Sequence, residues 1–256
     1  MTDLTPRPGA APLGRQILAQ ASMESRLMLR NGEQLLIAVV IPVIVLIGCV
    51  TGGKHLHLHE SRPLVDIFTP GVLALAIMST AFTSLAIATG FERRYGVIKR
   101  LGASPLPRIG LLAGKVLALV IVELLQLVVI GAVGVALGWS PTVCLAGIVG
   151  FVLACVLGTA AFASLGLFVA GVLRAEATLA AANLIYLLLL AGGAVVLPAS
   201  SYGAFGHVTK VLPSGALGEA VRRAFDDGRI DWAGLGIMLA WAVVGSVLTA
   251  RTFRWE

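Results

Sequence analysis

The side chains best placed to do chemistry are the few polar groups inside apolar runs. Glu123 and Gln126 stand three apart, and Glu123 is the only charge between Val116 and Gly138. Helical spacing puts both on one face. An ionisable group at membrane depth is a candidate for a substrate path, and equally for a hydrogen bond to a neighbouring helix. Asn183 and Tyr186 repeat the spacing and read first as polar contacts between helices, with a substrate path as the alternative. Thr80, Thr83 and Ser84 can bond back to their own helix. His55, His57 and His59 alternate, so an extended backbone would set three imidazoles on one side, where a metal can bind. Only Glu60 stands beside them, and a solvated loop is the plainer reading. Cys49, Cys144 and Cys155 are odd in number, lie in apolar runs and lack metal spacing, which makes them small core residues.

No phosphate-binding G-x-x-x-x-G-K-[ST], HExxH or GxSxG pattern is present. Gly114-Lys115 is followed by Val116 and falls in an apolar run. The chain is therefore not expected to hydrolyse ATP or to be an enzyme. Its basic residues are scattered, with no nucleic-acid-binding module.

The elements that carry these residues follow from composition. Of 256 residues, 58% are hydrophobic and 12% charged, about half the charge of a soluble domain. Such a chain suits a bilayer, where backbone groups pair internally and the outer face is apolar. Six apolar runs, at about 34–52, 67–90, 109–138, 143–172, 178–197 and 232–250, each approach or exceed the roughly 20 residues a helical span needs. Pro42 predicts a kink in the first and Pro70 a start for the second. The fold class is an all-α integral membrane protein with six transmembrane helices. Residues 1–12 read as a disordered tail. Residues 13–33 read as an amphipathic interfacial helix with Arg15, Arg26 and Arg30 on its polar side. Residues 34–256 form the transmembrane domain. No cleavable signal peptide is expected, since the first strongly apolar run begins near Leu35 and is long. With both termini cytoplasmic, twelve basic residues fall in inner segments and six in outer ones, Lys115 being the nineteenth.

Two loops stand out. In 91–108, Glu92, Arg93 and Arg94 end the second run, and Val97, Ile98 and Leu101 share a face of a short helix that also carries Arg100. In the external segment, 198–231, Pro213 precedes a helix with Leu217, Ala220, Val221 and Ala224 on one side and Glu219, Arg222 and Arg223 on another. Asp226, Asp227 and Gly228 end it.

Glu92, Gly96, Leu101, Ala103, Ser104, Pro105, Leu106, Gly114 and Lys115, with Leu212, Pro213, Glu219, Ala220, Arg222 and Gly228, resemble the ABC-2 type permeases, which include daunorubicin-resistance-type exporters. Gly96-Val97-Ile98-Lys99 departs from the Gly-Thr-Leu-Glu often found there. The resemblance implies a membrane subunit of a type V exporter-like assembly in the plasma membrane. Loop 91–108 would contact a separate ATPase subunit, which binds ATP and Mg; this chain would bind no cofactor. Val97, Ile98 and Leu101 would be the anchors, and Arg93, Arg94 and Arg100 would tune recognition. The external segment would dip toward the membrane as short helices. A second permease subunit, identical or related, would complete a path for a hydrophobic or amphipathic molecule, as in drug efflux. Rival readings are a membrane-embedded enzyme or assembly factor, and a proton-coupled secondary transporter using Glu123.

Overall fold

The computed structural model describes residues 11–30, 32–55, 63–101 and 107–253. Most of the expected tail, His57, His59 and the 102–106 turn lie outside the described residues, as do the side chains of His55 and Arg108. Every regular element described is helical.

Helix α1 (Leu13–Arg30) buries Gln20, Ala21 and Ser25 and leaves Arg15, Arg26 and Arg30 exposed. At 100° per residue the arginines fall opposite the buried side. That side packs on the helix Arg108–Ala136. Helix α2 (Gly32–His55) runs through Pro42, and its stretch Ala38–Gly53 is apolar. Five further helices are long and apolar enough to cross a membrane: α3 (Leu64–Arg94), α5 within Arg108–Ala136, α6 (Leu145–Val172), α7 (Ala175–Gly192) and α10 (Trp232–Thr252). Their outer faces carry side chains such as Val128, Leu184 and Leu188, each more than half exposed. An apolar surface of that extent fits a membrane protein.

Helix α3 is the central span, with 72% of its apolar window buried, against 17% for α7 at the periphery. It begins at Leu64, after Pro63, so Pro70 lies inside the helix and not at its start. A π-helical turn, Ser79–Ser84, interrupts α3 halfway. Gly96, at φ 69°, ends it: the Gly96 N–H donates to the Arg93 carbonyl at 3.1 Å. A left-handed residue closing a helix is the usual place for glycine.

Helix α7 stops at Gly192, short of the expected 197, because Gly193 and Ala194 (φ 53°) turn the chain back. The return leads through a 3₁₀ turn, Ala199–Phe205, and the short helix α8 (Gly206–Val211) to α9 (Pro213–Arg222). Nine of the ten α9 residues are buried. It wedges between α3, α6 and α10, with Leu217 seated on Gly158 of α6. The segment thus enters the bundle, and Leu217, Ala220, Val221 and Ala224 face inward as expected. Arg222 is buried, although its Nη1 still lies 3.9 Å from Glu219 Oε2. It is 6% exposed, and its Nη2 donates to the Val195 and Val196 carbonyls at 2.7 and 2.8 Å. Those carbonyls belong to the turn after α7 and would otherwise lack donors. Arg223 bonds Glu219 at 3.3 Å and Asp231 at 2.9 Å, and Gly228 (φ 62°) closes the segment.

Candidate functional site

Two polar regions stand out, one at the end of the bundle where α1 lies and one within it. At the α1 end, Glu92, Arg93 and Arg94 are consecutive, and each reaches a different neighbour. Glu92 Oε1 accepts from Lys115 Nζ of α5 at 2.6 Å, and the same nitrogen donates to Glu24 Oε1 of α1 at 2.8 Å. Gln20 Nε2 adds a 2.8 Å bond to that Glu24 oxygen. Lys115 is 5% exposed, so this is a buried junction of three elements. Gly114 makes room for it, since a side chain there would strike Gln20.

Arg93 turns toward α6 and donates to the carbonyls of Gly171 and Leu173. A cation on the last carbonyls of a helix is favoured by the helix dipole and by capping. Gly171 also lies under Phe253, beyond the end of α10. Arg94 pairs with Glu176 in the first turn of α7. The short helix α4 (Val97–Leu101) hangs directly from this tripeptide. Ile98 is 3% exposed, whereas Val97 is 37% exposed and Arg100 is exposed. The shared anchor face therefore divides: adjacent helical residues point about 100° apart, and Ile98 is used inside the chain.

Within the bundle, Gln126 is fully buried. Its Oε1 accepts from Thr80 of the α3 π turn at 2.8 Å, and its Nε2 donates to the Ala38 carbonyl of α2 at 2.7 Å. The residue links three helices, the interhelical role expected as one alternative. One turn away, Glu123 Oε2 accepts from Thr159 of α6 at 2.7 Å, while its Oε1 is buried without a partner. The Tyr186 hydroxyl lies near Ser79 of the π turn. Asn183 is exposed on α7, so within this chain it does not serve as a contact between helices. The π turn thus collects polar contacts from α5 and α7, and such turns recur at functional sites. Among the described residues no group of His, Cys, Asp and Glu could hold a metal ion.

Sequence reasoning did not select Glu24 or the pairing of Lys115. A lysine inside an apolar run was the available signal, but its partners lie 91 and 23 positions away.

No curated protein matches the chain. Residues 54–251 match the ABC-2 family transporter proteins, a stretch that runs from the end of α2 to the last turn of α10 and includes the tripeptide, α4 and the inserted α9. The chain belongs to the ABC-2 transporter family.

Proposed function

We propose that this chain is the permease subunit of an ATP-binding-cassette exporter in the plasma membrane, with both termini cytoplasmic. It moves a hydrophobic or amphipathic molecule outward using ATP hydrolysed, with Mg, on a separate ATPase subunit. A second permease subunit, identical or related, completes the path. The observation that carries this reading is the Glu92-Arg93-Arg94 tripeptide. A displacement of α4 has short, charged connections to α1, α5, α6 and α7, so a partner pressing on α4 addresses most of the bundle at once. Val97, Lys99 and Arg100 are the exposed groups a partner would meet.

The test is Val97→Asp. It places a charge on the exposed side of α4 and leaves Ile98 in place. The chain should insert and melt as wild type while co-purification with its ATPase falls tenfold or more, the scale of a lost interface anchor at about 1.4 kcal/mol or above. Undiminished ATPase association and transport would remove α4 as the contact.

A second reading, proton-coupled transport, draws on the unpartnered Glu123 oxygen. Glu123→Gln keeps an acceptor for Thr159. On the exporter reading, transport in vesicles continues and follows ATP. Transport driven by a proton gradient without ATPase, and abolished by Glu123→Gln, would favour the second reading.

A further inference from the structure

The short helix α8, on the return from α7, has three distinct sides. Gly206 and Thr209 are buried against the chain, and Thr209 Oγ1 donates back to the Gly206 carbonyl at 3.0 Å. Phe205, just before the helix, and Val208 and Val211 within it are each at least half exposed. His207 and Lys210 are exposed as well. Residues three apart are neighbours on a helix surface, so an apolar line and a basic line run side by side along the outside of α8. The nearby acids Glu219 and Asp231 are engaged by Arg223.

The attachment of α8 to α10 sets its depth. Trp241 Nε1 donates to the Val211 carbonyl at 2.9 Å. Trp241 stands nine residues beyond Trp232, the first residue of α10, which is roughly 13 Å along a helix. Trp232 is exposed at the end of this span, the level at which tryptophans meet headgroups. Allowing one turn, about 5 Å, for an indole leaning back toward the helix start, the Val211 end of α8 still lies below the headgroups. A lysine exposed at that depth lays its stem along apolar surface and carries its ammonium up to the headgroup level.

We propose that α8 binds an anionic phospholipid. The Lys210 ammonium and a His207 N–H hold the headgroup phosphate, and an acyl chain lies on Phe205, Val208 and Val211. Imidazole keeps an N–H donor in either charge state. A zwitterionic head carries its own cation and offers Lys210 no net charge. The lipid is a resident of the outer surface and not a cargo, so the inference does not depend on the exporter reading.

Fluorescence quenching of Trp241 in mixed vesicles of phosphatidylglycerol and phosphatidylcholine tests this site, with one of the two lipids brominated on its acyl chains. Trp139, Trp232 and Trp255, the other tryptophans, are replaced by phenylalanine, and no ATPase is present. Phosphatidylglycerol is expected to bind beside Trp241 at least fivefold more tightly than phosphatidylcholine. Lys210→Gln should bring that ratio to within twofold of one. Arg229→Gln removes an equal charge from another exposed residue of the external segment and should leave the ratio unchanged. Native mass spectrometry of the chain with all its tryptophans repeats the comparison without the phenylalanine background. Retained phosphatidylglycerol should be lost in Lys210→Gln and kept in Arg229→Gln. Equal binding of the two lipids, or equal effects of the two substitutions, overturns the proposal. So does a Trp241 that neither brominated lipid quenches, the result expected if a second protein chain covers α8.

Discussion

Replacing Lys115 by methionine is expected to lower the stability of the whole chain by about 3 kcal/mol or more, the range for breaking a buried ion pair on one side. Methionine matches the length of the lysine stem and keeps its packing against α1. It removes a cation that lies within hydrogen-bond reach of both Glu24 and Glu92. Two carboxylates, 12% and 22% exposed, are then left together with no compensating cation among the described side chains. The measurement is thermal melting in detergent by intrinsic tryptophan fluorescence, together with membrane yield. Adding Glu92→Gln to Lys115→Met should recover a large part of the loss, because one unpaired charge goes with it. A single mutant that melts with wild type would mean that the junction contributes little and that water already screens it.

On the proposed exporter reading, Arg93→Ala should separate hydrolysis from transport. The guanidinium holds the last carbonyls of α6 to the end of α3, and hydrogen bonds to a charged group contribute about 1.5–3 kcal/mol each. Losing even one is a factor of ten or more in an equilibrium between two helix arrangements of which only one makes the bond. The exposed groups of α4 are untouched, so ATPase association should persist. Transport per ATP hydrolysed should fall at least tenfold. Arg93→Lys should recover part of it, since a single ammonium can cap but has no planar fork. Unchanged transport per ATP in the alanine variant would reduce Arg93 to a helix cap with no part in coupling.

Span positions were legible because they rest on composition: an apolar run of about 20 residues has few alternatives to a membrane helix. Five long spans and the apolar stretch of α2 stand close to the expected positions. The inward face of α9 was likewise legible from the spacing of Leu217, Ala220, Val221 and Ala224. Long-range pairing was not. Arg222 looked like a surface charge because its acceptors are backbone carbonyls at 195 and 196, which carry no signal in residue type. Ile98 looked like an anchor for a partner because a short apolar helix face does not say whether its cover comes from the same chain. Asn183 had the spacing of a helix contact, but the side of α7 that meets the bundle is chosen by packing.

The π turn at Ser79–Ser84 sets the angular phase of everything that follows it in α3. One residue corresponds to about 100° of rotation on an α-helix. The C-terminal part of α3, Leu85–Arg94, therefore depends on the widened turn to aim Glu92 at Lys115, Arg93 at the end of α6 and Arg94 at Glu176. Deleting one residue from Ser79–Ser84 would let the helix close up as regular α and swing all three side chains off their targets together, although none of them had been altered. What this segment transmits is a count of residues, and the polar groups within it serve to hold that count against the helices on either side.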